Sequence, residues 1–316
     1  PATAVPPASS PRPRAAAPIA FRVLGSGSRG NATLLELGPF PDGSGGPAGP
    51  RPQRLLLDAG FSPRRTAAAL AVDGLGLDDL DGMLLTHADR DHFHPGWVRV
   101  AESRGLPVHA HRRHRGRLTR RGLTGRSLRI FEGEPFGPAG ADADADAGEE
   151  ARGPRVEPVL CVHDDTGSAA FVIEHRGTRL GWATDLGRVP PRLLARFADL
   201  DAVAIESNHD PDLQRASGRP AFLQDRIMGG SGHLDNERAL DAVLAVDGAS
   251  PGGLRHVVLL HLSRDCNCPR LVRSLWARRA AHLAPRLVVT EQDAPSPWIA
   301  VHATRERAVQ ASLFGG

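Results

Sequence analysis

Residues 84–96, LLTHADRDHFHPG, set the terms on which the rest of the chain is read. They place His87, Asp89, Asp91, His92 and His94 within eight positions, directly after the apolar run Met83-Leu84-Leu85. That run reads as a buried strand ending at Thr86, and a helix starting near Pro95 holds the far end of the loop. Between these fixed ends the backbone can curl so that His87, Asp91 and His92, at i, i+4 and i+5, converge on one point. Nitrogen and oxygen donors without a thiolate suit Zn, Mn or Fe. The competing reading is a polar loop whose imidazoles face water.

Upstream of this loop, IAFRVLG (19–25), ATLLEL (32–37) and residues 54–58 read as three strands of one sheet, with a turn-rich insertion between the second and third. Residues 63–71 read as a helix and 82–86 as the strand feeding the loop. Downstream come a helix over 96–104, a short strand over 107–110 and a strongly basic helix over 111–121. Strands follow at 156–162, 169–175 and 178–184. Helix 190–198, strand 202–206, helix 236–246, strand 256–260, helix 269–282 and strands 286–290 and 298–302 complete the series. Hairpins followed by strands alternating with helices imply an α/β protein with two sheets and helices outside them. One domain over 19–305 is expected, with a disordered tail at 1–18, loop insertions at about 38–53 and 139–154, and a C-terminal tail at 306–316.

With 316 residues, 41% of them hydrophobic, the chain can bury a full core. No stretch nears the roughly 18 uninterrupted apolar residues of a membrane span, and the first twenty residues lack the apolar segment of a secretory signal. A soluble, cytoplasmic protein with no membrane partner is expected. Cys161, Cys266 and Cys268 make an odd set, against a disulfide framework, and the last two sit near His261 as candidate thiolates. The formal charge is +3, yet every basic residue is Arg and none is Lys, a bias that goes with abundant Ala, Gly and Pro. The global charge therefore says little about partners.

Further ligand candidates stand at predicted strand ends: His163 after VEPVLCV, Asp185 after LGWAT, His261 after HVVLL. Each follows an apolar run and points from a strand tip toward what can be one shared cleft. A carboxylate such as Asp185 can bridge two cations. Two metals in turn hold a bridging hydroxide at neutral pH and clamp both the attacked and the leaving oxygens of a phosphoester, so hydrolysis is the natural chemistry.

VLGSGSRGNATLLE (23–36), LLLDAGFSPR (55–64), LLTHADRDHFHPG, HDDTGSAAFVIE (163–174), ATDLGRV (183–189), IESNHD (205–210), GHLDNERA (232–239) and LLHLSRDCN (259–267) together resemble the metallo-β-lactamase superfamily. Within it they are similar to the YycJ/WalJ-like branch of metal-dependent nucleases, over nearly the whole chain. The resemblance implies a four-layer αββα sandwich with a dinuclear site at its edge. It implies His87 and His163 on one divalent metal, Asp91, His92 and His261 on the other, Asp185 between them, and Asp58 orienting the ligands from behind. The glycine loop GSGSRGN (25–31), with Ser26, would lie beside the site and offer backbone groups to a phosphate. His209 and His233 would border the cleft, where either protonates the leaving oxygen or packs, and Asn208 would position substrate. His94 reads as a surface residue or a helix-start contact.

One position departs from the pattern His-x-His-x-Asp-His: Asp89 stands where the second histidine belongs. A carboxylate there either ligates, giving a more anionic site that favours Mn or Fe over Zn, or leaves the first site impaired. Arg112, Arg113, Arg115, Arg117, Arg120 and Arg121, interleaved with His109, His111 and His114, would form a strip able to follow successive phosphates, or simply a solvated face. With 4% aromatic residues and no Tyr, base stacking is poorly supported, which favours backbone-directed hydrolysis of DNA, such as exonuclease action. ATDLG and GHL lie too close together for the inserted domain of RNA-processing members. The alternatives are ester, thioester, lactone or β-lactam hydrolysis, and a metal-binding scaffold silenced by Asp89.

Overall fold

A computed structural model of the chain describes residues 17–38, 51–138 and 153–304. Most of the expected tails and loop insertions lie outside the described residues. Strands β1 (Ile19–Gly25), β2 (Ala32–Leu37), β3 (Gln53–Ala59), β4 (Gly82–Leu84), β5 (Val108–His111) and β6 (Leu128–Phe131) lie side by side in one sheet. The second, six-stranded sheet runs through β7 (Arg155–Cys161), β8 (Ser168–His175), β9 (Thr178–Ala183), β10 (Ala202–Glu206), β11 (His256–Leu260) and β12 (Leu287–Val289). The last strand, β13 (Ile299–Val301), returns to the first sheet beside β1 and makes it seven-stranded. Both sheets change character across their width. The β1-β2-β3 and β7-β8-β9 stretches are antiparallel, while β3 to β6 and β9 to β12 run parallel. In the parallel halves all strands end at the same edge, where an α/β sheet presents its loops to a ligand.

Why the strands read as nearly unbroken apolar runs is visible in β8. Ala169, Phe171 and Ile173 face the other sheet, against Phe21, Leu35 and Leu55, while Ala170 and Val172 face the helices. Both faces are covered, so alternation of polar and apolar residues has no purpose. The outer face of the first sheet is sealed by α1 (Pro63–Ala71), α2 (Gly96–Arg104) and α3 (Arg115–Arg120), through Leu70, Trp97, Ala101 and Leu118. The second sheet is sealed by α4 (Pro191–Arg196), and, beyond the short α5 (Pro211–Arg215) and α6 (Ala221–Met228), by α7 (Asn236–Gly248) and α8 (Pro269–Arg279), through Leu193, Leu240, Val243, Val272 and Trp276. Each of these leucines and valines stabilises the fold by about 1.5–3 kcal/mol on burial. The layers are helix, sheet, sheet, helix, the αββα sandwich that the resemblance implies.

Helices α1 and α2 keep the bounds that capping dictates: the Ser62 hydroxyl accepts from the Arg65 amide ahead of Pro63, and Gly105 closes α2 in a left-handed turn. The basic helix expected over 111–121 differs. His111 ends β5, Arg112–His114 form a 3-10 turn, and only Arg115–Arg120 are α-helical. Among the described residues no helix is long and apolar enough to cross a membrane.

Candidate metal centre

Strand ends supply the donors. Asp58 lies near the end of β3, Thr86 and His87 follow β4, Asp185 follows β9, Glu206 closes β10 and His261 follows β11. His163 sits in the turn joining β7 to β8. Asp58, Asp185 and His261 adopt left-handed backbone, with φ of 54°, 55° and 57°. Non-glycine residues occupy that region at a cost, and such residues cluster where side chains must be aimed.

The 87–92 loop is clamped against β3. The Asp91 carbonyl accepts from the Asn31 amide at 2.7 Å, the His92 carbonyl from the Ala59 amide at 2.7 Å, and the His94 amide donates back to Ala59 at 2.8 Å. A Cβ on Gly60 would lie 1.7 Å from the Asp91 carbonyl oxygen, so only glycine lets the loop come this close. His94 itself accepts from the Gly96 amide at the start of α2, the helix-start contact allowed by its position.

Within this frame His87, Asp91, His92, His163, Asp185 and His261 come together. His92 Nε2 is 2.9 Å from Asp185 Oδ2 and 3.8 Å from Asp91 Oδ2. His261 Nε2 is 3.8 Å from Asp91 Oδ2, and His261 Nδ1 is 3.6 Å from Asp185 Oδ1. His163 Nε2 is 3.8 Å from Asp185 Oδ1, and the His87 ring centroid lies 4.1 Å from that of His92 and 5.2 Å from that of His163. Three sets of donor atoms converge closely enough to share an ion: Asp91, His92 and His261; His87, His92 and Asp185; and Asp185, Glu206, His233 and His261.

The outer groups fix which nitrogen faces inward. Asp58 accepts from the Thr86 amide and hydroxyl and sits 2.8 Å from His92 Nδ1, which turns Nε2 toward the centre. His163 Nδ1 donates to the Gly232 carbonyl at 3.0 Å. Ser26 accepts from the His261 amide and donates to Asn31, so the glycine loop braces the ligand bed. Asn208 donates to the His261 carbonyl at 2.8 Å and is buried, so it braces the strand tip as well.

Glu206 and Asn31 were not anticipated. Glu206 is fully buried and its Oε1 lies 2.7 Å from His233 Nδ1 and 3.0 Å from His261 Nδ1, while Oε2 accepts from the Leu186 and Leu234 amides. Asn31 Nδ2 stands 2.9 Å from His92 Nε2. The signal available for Glu206 was a lone acid closing the apolar run AVAIE, an expensive residue to bury without partners. His209, by contrast, is buried with Nδ1 unpartnered among the described residues, whereas the His233 side chain remains 23% exposed.

Charge in this cluster is balanced by protons. Burial disfavours the charged forms of His92 and His261, yet Asp185 and its neighbours outweigh it and hold both above the ordinary range, His261 at about 10. Burial likewise opposes ionisation of Asp185 and Glu206, and His261, His92 and His233 overcome it, bringing Glu206 down to about 2. His87 is held neutral by burial and by His92. His261 Nε2 is buried without a hydrogen-bond partner among the described residues. Buried carboxylates paired with imidazoles, oxygen and nitrogen donors, and an orphaned ligand nitrogen all fit a divalent cation, whose binding displaces such protons. Cys266 and Cys268 join none of the donor sets, and burial pushes the Cys161 thiol up to about 12.

Asp89 also stands apart. Its carboxylate is ion-paired with Arg117 and joins none of the donor sets. The arginine strip is broken accordingly. Arg112 pairs with Glu132 at 2.9 Å and Arg121 donates to the Phe93 carbonyl, while His109, His111 and His114 are buried. Burial lowers all three, His109 and His114 to about 4, so none adds charge near neutrality. Arg113 faces a groove of about 530 Å³ beside the His163 turn, opposite Arg192 and Arg196 of α4.

Fold and donor cluster define a member of one class, and the comparison with known families names it: residues 53–262 match the Beta-lactamase superfamily domain, and the chain belongs to the metallo-β-lactamase superfamily. Its relatives include Exodeoxyribonuclease YycJ of Bacillus anthracis, 29% identical over 253 residues, 80% of this chain and 86% of that protein. Exodeoxyribonuclease WalJ of Streptococcus pneumoniae is 26% identical over 265 residues, 83% of this chain and 88% of that protein. Among solved structures, the metallo-β-lactamase fold protein YhfI of Bacillus subtilis superposes with a TM-score of 0.58 at 15% identity, covering 88% of this chain and 98% of that one.

Proposed function

We propose that the chain is a metal-dependent phosphodiesterase that degrades DNA as an exonuclease. One observation carries the reading: buried imidazoles and carboxylates converge at the common edge of both sheets, beside an arginine-bearing groove and not an enclosed apolar pocket. The names of the relatives that span four fifths of the chain support it. A lactam or thioester hydrolase would need a small apolar chamber, and the groove here sets Arg113, Arg192, Arg196, Glu132 and Glu157 around an apolar floor that includes Val159 and Leu160.

In this reading His87 and His163 would hold one divalent metal and Asp91, His92 and His261 the other. Asp185 serves both, since Oδ2 faces His92 while Oδ1 faces His163 and His261. Bound Zn, Mn or Fe supplies nucleophile activation and charge neutralisation at phosphorus. Asp58 holds His92 by Nδ1, so that Nε2 faces Asp185 and the centre. Of the two candidate proton donors we assign His233: Glu206 anchors its Nδ1, its ring stands 5.1 Å from that of His261, and it is open to the cleft. Arg113 and Arg192 would hold phosphates flanking the scissile one, without reading sequence. A cytoplasmic location, where such a substrate is met, accords with free thiols at Cys161, Cys266 and Cys268.

The test is to load the protein with Mn and offer it end-labelled duplex DNA and a chromogenic lactam. Stepwise release of mononucleotides is expected. Lactam turnover without nucleolytic product would overturn the reading.

A further inference from the structure

The first metal position, with His87 and His163, is one donor short, because the second histidine of the motif is Asp89 and Asp89 is engaged by Arg117. We infer that His114 supplies the missing imidazole, so that His87, His163 and His114, with Asp185, form the first metal position. This rests on the metal reading of the centre given above.

His114 reaches the site from a different part of the chain, the 3-10 turn after β5. It is 1% exposed, and among the described residues neither ring nitrogen makes a hydrogen bond of ordinary geometry, the Gly167 backbone giving it only a weak contact. Leaving such a group buried and unsatisfied costs about 1–3 kcal/mol, which a bound cation would offset. Its ring centroid lies 6.4 Å from that of His87, tilted by 55°. His163, on the other side of His87, lies at 5.2 Å, so His114 is 1.2 Å further away (6.4 against 5.2). A change of side-chain torsion spans such a gap.

The neighbours favour this use of the ring. His87 Nδ1 lies 3.1 Å from the Thr86 hydroxyl and His163 Nδ1 donates to Gly232, so each already has its outer nitrogen occupied and its inner one free. Asp89 belongs to the same loop as His87 but is 33% exposed at its side chain and faces a guanidinium. A cation bound there would have to separate that pair, whereas among the described residues His114 has only a weak contact with the Gly167 backbone to give up. Three neutral imidazoles also make a less anionic and softer first position than Asp89 would, which shifts preference back toward Zn and Co.

The experiment is titration of the metal-free full chain with Co²⁺, following ions bound per chain and the visible absorption of the cobalt. Wild type should take up two ions. His114→Phe, which fills the space without a donor, and His114→Gln should weaken the second ion by more than about tenfold and alter its absorption, since even an outer partner of a ligand is worth about 10- to 100-fold. Asp89→Ala should leave both ions within about twofold. Unchanged binding in both His114 variants, or loss of the second ion in Asp89→Ala, would overturn the inference. If melting curves of the metal-free variants show that neither His114 substitution folds, the Asp89→Ala result alone decides. A wild-type chain that binds no Co²⁺ would instead sink the metal reading beneath it.

Discussion

HADRDHFH (87–94) and HAHRRHRGR (109–117) look alike as sequence, each crowding histidines with charged residues after a short apolar run. Folding treats them in opposite ways. In the first, imidazoles meet the carboxylates of Asp58, Asp91 and Asp185, and His92 is held charged. In the second, no carboxylate among the described residues comes within ion-pair distance of the buried imidazoles: His109 stacks on Phe136 at 5.3 Å and bonds the Pro138 carbonyl, and it is held neutral. Histidine density alone therefore does not mark a charged site. Acids brought in from other strands do.

The deepest cut at this contrast is Asp185→Ala, which removes the carboxylate shared by His92, His163 and His261. Elemental analysis should show metal lost, and DNA hydrolysis should fall by at least about 10³-fold. Retained activity would break the comparison at its root. Next, His233→Ala should slow oligonucleotide cleavage by about 10²- to 10⁴-fold while sparing a p-nitrophenyl phosphodiester, whose leaving group needs no proton. Equal losses on both substrates would remove His233 from proton donation. Asp58→Asn should cost about 10- to 100-fold in metal affinity, measured by competition with a chelator, because His92 loses its anchor.

The fourth concerns pH. A histidine held at about 4 in the fold stays neutral while the unfolded chain takes up a proton below 6.5. His109 therefore contributes nothing to pH dependence above 6.5 and withdraws stability as pH falls from 6.5 toward 4, on the order of 3 kcal/mol at most. His261, held at about 10, has the opposite sign: in metal-free protein its contribution is complete below 6.5 and disappears as pH rises through about 10. Urea unfolding of the chelated protein at pH 4.5 and 7.5 should show His109→Phe losing less on acidification than wild type. An identical loss would mean that His109 is not the group responsible.

Much of the fold was legible because two-sided burial leaves a plain trace. β1, β2, β10 and β11 are apolar almost without interruption, and their bounds follow from that alone. β6 was invisible: Leu128–Phe131 is a four-residue edge strand with two exposed positions, held by pairing with β5 and not by its own pattern. α5 and α6 are short and largely exposed, and only the Asp210-Pro211 cap announces the first of them. At the site, residues at the tips of apolar strands could be named in advance, since a polar residue there has few other reasons to exist. The setting of Asp89 could not, because it depends on Arg117, twenty-eight positions away. Glu206 escaped because it belongs to its strand, where it reads as the end of one more apolar segment.

The left-handed backbone at Asp58, Asp185 and His261 has a consequence for the molecule's history and its engineering. Side chains with a Cβ hold that conformation against roughly 1 kcal/mol each, and glycine would hold it freely. Glycine at any of the three would shed that strain but leave His92, His261 or Glu206 buried without a counter-charge, at about 1–3 kcal/mol for each group left unpaired. Selection for heat tolerance alone therefore has no reason to take the strain out.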